Sequence, residues 1–409
     1  MNISDSERIS SVLKSMKYKK TSNMTEANLV VVTMCSVRQS AVDRVHGLAP
    51  KFKTIKKTKP NFKTILTGCV LKKDRKTFIK SFDYVVDIKD INKIPEILNI
   101  CKTKGTDNYL NVAPEHSSKF SANIPIMTGC NNFCAYCVVP YARDREISRS
   151  AKDILLEIKK LAEKGYKEIW LLGQNVNSYK DKDTNFPKLL RMVNNIQGNF
   201  WIRFTSSHPK DFSEELIDAM AYCEKVTPYL NLPIQSGDDK VLKLMNRHYT
   251  VKDYKNKIKK LREKIPNIGL STDIIVGFPG ETKKQFKNTV KLFKDIKYDM
   301  AYINKYSTRA GTMASKLKDN ISKEEKKNRE NILTQTLKQT ALEHNKKLLG
   351  NQTTVLIDSK NKNNIWSGKN EQYKTVQVET NKNLLGKFIK VKITDIMVWA
   401  LKGNITNEK

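Results

Sequence analysis

Short β-branched runs alternate with longer amphipathic ones from residue 28 to about residue 104: NLVVVTM, SVRQSAVDRVHGLAPKF, FKTILTG, LKKDRKTFIKS, DYVVDI and NKIPEILNICKTK. Strand-then-helix alternation of this kind predicts a small parallel α/β domain over 1–104. The chain begins directly in a helix-like segment, SERISSVLKSMKY, with no strand before it. Residues 105–123, GTDNYLNVAPEHSSKFSAN, are polar, aperiodic and contain proline, which predicts a linker. A second alternating series follows, with candidate strands IPIMTG, KEIWLLG, FWIRFTS, YLNLPIQS, IGLSTDIIVG and MAYINKYS separated by helical stretches. Such a βα series implies a barrel or part of one, with chemistry at the C-terminal strand ends. Residues 321–350 read as a long charged helix ending at Gly350, which completes a unit spanning 124–350. Over 351–409 the period returns to two in TTVLIDS, NIWSG, KTVQVE, KFIKVKITDI and ALKGNI, a pattern for a small five-stranded all-β barrel.

At 409 residues the chain is long enough for two or three cores, since a domain takes roughly 100–200 residues. No window approaches the ~18 uninterrupted apolar residues of a membrane span, and MNISDSERIS lacks the layout of a signal peptide. A cytoplasmic protein without membrane association is expected. Lys and Arg number 75 against 42 Asp and Glu, a formal charge of +33. That excess favours a polyanionic partner, although a Lys-rich surface set by compositional bias explains it equally well on charge alone. Seven cysteines, without an export signal, suit metal ligands or buried hydrophobes better than a disulfide framework.

Three of them decide between these. TGCNNFCAYCVVP sets Cys130, Cys134 and Cys137 in a C-x3-C-x2-C triplet after the first strand of the second series. Structural zinc wants four ligands, and the five histidines (His46, His116, His208, His248 and His344) lie nowhere near a fourth position in sequence. Three thiolates can instead hold three irons of a [4Fe–4S] cluster and leave the fourth iron open. The triplet, with Tyr136 before its last cysteine, resembles the signature of radical S-adenosylmethionine (SAM) enzymes. The longer run GCNNFCAYCVVPYARDREISR is similar to that of the methylthiotransferases, as are LLGQNVNSY, TSSHPKDFS, LNLPIQSGDDKVLKLMNRHYT, STDIIVGFPGET and YSTRAGTMAS.

Within that family TMCSVR, LLGQNV and TSSHP resemble the MiaB-type branch. The resemblance implies methylthiolation at C2 of an N6-isopentenylated adenosine beside the tRNA anticodon, at position 37. Sister branches act on threonylcarbamoyl-adenosine or on a ribosomal-protein aspartate. From another class, the alternative is an RNA-binding protein with a degenerate second cluster. The family further implies an N-terminal α/β domain, a radical SAM partial barrel and a C-terminal RNA-binding TRAM module. One SAM would supply the methyl group and another the radical, and a second [4Fe–4S] cluster would carry the sulfur. The implied partners are the tRNA anticodon stem-loop, an electron donor such as a flavodoxin or ferredoxin, and a sulfur donor; a monomer is expected.

By the same resemblance Cys35 and Cys69 belong to the second cluster. Each sits at the C-terminal end of an apolar run, where parallel strands would bring them together. Relatives supply a third cysteine from a first strand ending in Gly–Cys–Gln–Met–Asn. Here Met1 and Asn2 resemble the end of that sequence, so the missing ligand is expected upstream of residue 1, through a misassigned start or a truncated gene. Cys101 and Cys223 are expected in the core. Gln235, Ser236 and Gly237 of PIQSGD and Asp273 of STDIIVGFPGE fall where a cofactor's ribose and methionine could bind, although PIQSG read alone is equally a turn. Gly277 and Gly280 of GFPGE permit close backbone approach, and Arg143, Arg145 and Arg149 suit a cofactor carboxylate or RNA phosphate. Two positions depart from the family: Asp144 replaces a Gly, and Asn231 replaces a His. Asp tolerates positive φ better than most residues, so a modest perturbation is expected. In the β-module, Lys387, Lys390 and Lys392 with Trp366 and Tyr373 suit a phosphate track with base stacking.

Overall fold

The computed structural model describes every residue except Arg38, 101–108, Lys362 and 407–409. The chain divides into two compact units: 1–118 with 127–133 and 137–149, and 119–126 with 134–136 and 150–409.

The first unit is built on a parallel sheet ordered Leu29–Cys35, Lys63–Cys69, Tyr84–Val85. Successive side chains of a strand point to opposite faces, so Ile65 and Leu66 feed different cores. Ile65 packs with Ile9 and Val12 of the Asn2–Ser15 helix, and Leu66 with Phe52, Phe62, Phe78 and Phe82. The amphipathic run after Cys35 forms two helices, Gln39–His46 and Ala49–Thr58. Gly47 interrupts it, and Pro50 restarts it in the first turn, where a missing N–H costs nothing. A 3₁₀ stretch, Ile88–Lys93, leads into the run NKIPEILNICKTK and gives way to a short helix, Ile94–Ile97. Asn99, at φ 58°, stops it.

The predicted linker is tied down among its described residues. Tyr109 and Leu110 are in the first core, and the Glu7 carboxylate accepts from both the N–H and the hydroxyl of Ser117. The first barrel strand starts inside that segment, at Ser121.

In the second unit, Trp201–Phe204, Glu168–Leu172 and Ser121–Pro125 form one parallel sheet, and Tyr229–Asn231, Gly269–Val276 and Met300–Lys305 another. A parallel bridge from Ile202 to Val226 joins them into an incomplete barrel. YLNLPIQS yields only three strand residues because Pro233 has no N–H for the ladder. The strand direction resumes at Gln235, bridged to Ile274. The long helix, Lys323–Lys346, starts with Ser322 accepting from the Glu325 N–H.

Five strands, Gln352–Lys360, Ile365–Asn370, Thr375–Glu379, Phe388–Ile396 and Ala400–Ile405, close into the predicted barrel around Val355, Ile357, Val376, Val391 and Leu401. A buried arginine fastens it to the larger barrel. Arg203 pairs with Glu168 at 2.7 Å and donates to the carbonyls of Asn370 (2.8 Å) and Glu371 (3.0 Å). Its guanidinium also lies 4.8 Å from the Trp201 ring centre and 5.1 Å from that of Tyr373.

Candidate functional site: cysteine loops at strand ends

In the first unit Cys35 and Cys69 are register partners at the last positions of neighbouring parallel strands. Their side chains therefore leave the same face about 4.8 Å apart along the hydrogen-bonding direction. Gly68, at φ +94°, makes this edge possible, because a Cβ there would stand 2.5 Å from the Met34 carbonyl oxygen. Arg143 reaches the pair. Its Nε donates to the Cys69 sulfur at 3.0 Å, Nη1 to the Tyr109 hydroxyl at 3.1 Å and Nη2 to Asp5 Oδ2 at 2.5 Å. Arg143 and Asp5 are 1% and 0% exposed, so their charges are balanced away from water. Burial pushes the Cys69 thiol up, Arg143 opposes this, and the Cys35 thiol and Asp5 carboxylate add to it.

The triplet loop is set by a tight turn. Gly129 has φ +79°, and a Cβ there would lie 2.0 Å from the Arg145 carbonyl oxygen. Beside it the Cys130 N–H donates to the Asp144 carbonyl at 3.2 Å, and Met127–Thr128 pairs with Ile147–Ser148. Asp144 has φ 58° and ψ −159°, a conformation that glycine occupies without strain. Its carboxylate is paired with Lys89, which holds it below the usual carboxylate range. Cys137 opens the Val139–Arg143 helix, its sulfur accepting from the Val139 N–H at 3.5 Å.

Cys134 belongs to the second unit, where Arg247 Nη1 donates to its sulfur at 3.2 Å. The same guanidinium donates to the Tyr249 hydroxyl (2.6 Å) and the Pro233 carbonyl (2.7 Å), and the Tyr249 hydroxyl donates to the Ile234 carbonyl at 2.9 Å. Arg247 is 7% exposed and has no carboxylate partner among the described residues. Burial, opposed by Arg247, pushes the Tyr249 phenol up to about 12.

The PIQSG turn is held through Pro233 and Ile234 to this arginine. Gln235 takes φ +75° and exchanges backbone hydrogen bonds with Asp273 and Ile275. Ser236 is fully buried, its hydroxyl accepting from the Asp238 N–H at 3.3 Å. Gly237 leaves no room for a side chain, since a Cβ would meet Thr289 Cα at 2.5 Å. Half-buried Asp273 accepts from Asn231 at 3.2 Å, and Asn231 also donates to Ser271 at 3.1 Å. Asn231 is thus an amide orienting Asp273, with no acid–base proton to exchange. Gly277, at φ +68°, donates its N–H to buried Glu281 at 2.7 Å, and Arg329 of the long helix grips that carboxylate at 2.7 Å.

Several expected roles change. Arg143 points into the first unit toward Cys69 and Asp5, not toward a phosphate. Arg145 lies over the Phe133 ring at 4.3 Å, and Arg149 is buried. Trp366 is in the β-module core and Tyr373 packs on Trp170 and Tyr229, so neither is available for stacking a base. Trp399, 44% exposed and passed over in the sequence, is the aromatic that this module presents to solvent, together with exposed Lys387, Lys390 and Lys392. Cys223 is buried as expected, and Cys101 lies outside the described residues. Arg247 and Tyr249 were within reach of sequence reasoning, because NRHYT places a cation between polar and aromatic residues after a strand-end turn.

Among the described residues, no three His, Cys, Asp or Glu side chains converge as ligands of a single metal ion. A [4Fe–4S] cluster asks for something else: three thiols bound to three different irons, further apart than the ligands of one ion. Three cysteines on a glycine-set loop, with N–H donors on two of the sulfurs, fit that group.

Comparison with known proteins agrees with this organisation. Residues 124–293 match the Radical SAM superfamily, 346–406 the TRAM domain, and 1–88 the Uncharacterized protein family UPF0004. The fold resembles that of a radical S-adenosylmethionine methyltransferase, TsrM, from Kitasatospora setae, at a TM-score of 0.55 and 14% identity over 76% of this chain and 73% of that one. Fold and motif together define a radical SAM protein with a TRAM-type module, whose cofactors are [4Fe–4S] clusters and SAM. The tRNA-2-methylthio-N(6)-dimethylallyladenosine synthase of Acetivibrio thermocellus is 42% identical over 99% of this chain and 88% of its own length, and that of Clostridium novyi is 41% identical over 99% and 94%. The chain belongs to that synthase family.

Proposed function

We propose that the chain methylthiolates C2 of N6-dimethylallyladenosine at tRNA position 37. The carrying observation is identity of 42% over 99% of the chain to a synthase of that name, with the three-cysteine loop intact. An adenine C2–H is neither acidic nor activated. When bound, the cluster and SAM supply the one-electron chemistry that removes such a hydrogen. Cys130, Cys134 and Cys137 hold the cluster, and Arg247 fixes the Cys134 sulfur relative to the PIQSG turn. At that turn Gln235, through its backbone, and Asp273, oriented by Asn231, take the polar ends of SAM. Ser236 shapes the turn, and Arg149 lies on the segment that follows the loop.

Cys35 and Cys69 hold the second cluster, with Arg143 setting the Cys69 sulfur. The exposed lysines of the β-module attract the phosphates of the anticodon stem-loop, and Arg203 keeps that module fixed on the barrel. The reaction also requires an electron donor of the flavodoxin or ferredoxin type and a sulfur donor.

Nucleoside mass spectrometry of tRNA from cells with and without the gene tests this. Loss of the 2-methylthio-N6-dimethylallyladenosine peak on deletion is expected, and an unchanged peak overturns it. Anaerobically reconstituted protein with dithionite and SAM should release 5′-deoxyadenosine, and Cys134→Ala should abolish that release.

A further inference from the structure

Two loops at the C-terminal strand ends of the second unit bury polar atoms that have nothing to bond. After Glu168–Leu172 come Gln174 Oε1, Asn175 Oδ1 and both amide atoms of Asn177; after Trp201–Phe204 come Ser207 Oγ and His208 Nε2. None of these six atoms has a hydrogen-bond partner among the described residues. Ser207, His208 and Asn175 are 3%, 6% and 2% exposed. Native interiors leave few such groups unpaired, so six on two loops call for partners from outside the chain.

The loops are adjacent. The Asn175 amide donates to Asp211 at 2.7 Å, and the Asp211 N–H donates to the His208 carbonyl at 3.0 Å. They also reach the radical site: the His208 ring lies 5.7 Å from that of Tyr249, which bonds Arg247, which bonds the Cys134 sulfur. Ser206, at φ +65°, holds the second loop in a left-handed conformation that costs energy for a residue with a Cβ.

Their chemistry identifies the ligand class. All six atoms belong to neutral groups, because burial, reinforced by the charge of Arg247, pulls the His208 imidazole down to about 2. Its Nδ1 accepts from the Lys210 N–H at 3.2 Å, which leaves the remaining proton on Nε2. Donors and acceptors are mixed, whereas a phosphate would call for donors alone. Asn and Gln amides match the paired donor and acceptor edge of adenine. Resting on the proposed tRNA activity, we infer that Gln174, Asn175, Asn177, Ser207 and His208 form the recognition site for the flipped purine base of the RNA substrate. Adenine is also part of SAM, so the test separates the two sources.

The full chain is titrated with an anticodon stem-loop RNA carrying N6-dimethylallyladenosine, and with the same hairpin abasic at that position. SAM binding and Tm are measured beside it. Native protein should favour the intact base. Asn177→Ala and Ser207→Ala should each shrink that preference by roughly two- to tenfold, the value of a neutral hydrogen bond. Their Tm should hold or rise, because each removes a buried unsatisfied group, and SAM binding should not change. Undiminished preference with a lowered Tm means that ordered water pairs these atoms, and overturns the site. Weakened SAM binding with base preference intact assigns the pocket to the cofactor and overturns the RNA assignment. A native chain that methylthiolates tRNA without favouring the intact base overturns this inference alone, whereas a deletion strain with unchanged tRNA overturns the activity beneath it.

Discussion

Each unit of the molecule aims an arginine at a cysteine sulfur, and the two arginines are balanced differently. Arg143 gives one N–H to Cys69 and another to a fully buried carboxylate, Asp5. Arg247 gives one N–H to Cys134 and the rest to a phenol and a carbonyl, all neutral. At Cys69 the positive charge is already spent, and the arginine acts as a geometric clamp. At Cys134 it is still to be balanced, so the site is built to receive negative charge, as an iron–sulfur cluster with its thiolates supplies.

Breaking the first balance has the largest expected effect. Asp5→Ala leaves a buried guanidinium without its counter-charge and should cost the first unit roughly 3–5 kcal/mol. Arg143→Met should cost about as much by stranding Asp5, and the double variant should recover most of the loss. All four tryptophans, Trp170, Trp201, Trp366 and Trp399, lie in the second unit. Hydrogen exchange along Leu29–Cys35 therefore reads the damage, while tryptophan-detected unfolding of the second unit stays unchanged. Equal stability of the double and single variants would mean that the pair is not coupled.

Local periodicity made most of the fold legible. The Asn2–Ser15 helix, most parallel strands of both α/β series, the long helix and all five strands of the terminal barrel stand where alternation and capping residues put them, whereas the first barrel strand starts inside the expected linker, at Ser121, and YLNLPIQS gives three strand residues. The cysteine triplet was legible because its spacing is local. The register of Cys35 with Cys69 followed from two runs that end alike. Long-range polar contacts were not legible. Nothing in YARDREISR says that Arg143 turns toward Asp5, 138 residues earlier, since a basic loop residue reads the same whether it meets a phosphate or a carboxylate. Trp366 and Tyr373 failed as stacking surfaces for a similar reason: period two says that faces alternate, and tertiary packing alone says which face is inside.

The second balance is sharpened by Arg247→Gln and Arg247→Lys in reconstituted protein. Removing a cation beside the cluster disfavours the more negative, reduced state. With Gln, the reduced-to-oxidised ratio at fixed poise should fall about tenfold, which is 59 mV for one electron. Lys should restore most of it, as read by an EPR-monitored titration. Lys as low as Gln, or Gln equal to native, would reduce Arg247 to a packing residue. Where Gln loses its iron, recovery of iron in Lys supports the charge role, and loss in both removes it.

Acidification should also separate the units. His208 is held down to about 2 when folded, against roughly 6.5 when unfolded. Between those values the unfolded state binds the extra proton, so the contribution is whole above pH 6.5 and falls as pH drops. The slope approaches about 1.4 kcal/mol per pH unit. His208→Gln should flatten tryptophan-detected stability between pH 7 and 5 by that amount. In the first unit, burial works against Glu7, but bonds from His116 and Ser117 hold its carboxyl below the usual range. Its contribution is therefore whole above the unfolded value and is lost as pH falls from there through the lower folded one. A slope that survives His208→Gln would place the titration elsewhere.

The smallest expected effect runs the other way. Asp144 stands at φ 58° and ψ −159°, where the family resemblance implies glycine, and such a conformation costs a residue with a Cβ about 1–3 kcal/mol. Its pairing with Lys89 returns little, because both side chains are more than a third exposed and such pairs give about 0–1 kcal/mol. Asp144→Gly should therefore stabilise the first unit by about 1 kcal/mol, a net figure that also includes the greater freedom of glycine in the unfolded chain. Slower hydrogen exchange in Leu29–Cys35, with unchanged tryptophan-detected unfolding, is the expected signature. A loss of stability on Asp144→Gly would mean that the Lys89 pair outweighs the backbone, and that the departure from glycine strengthens the turn beside Cys130.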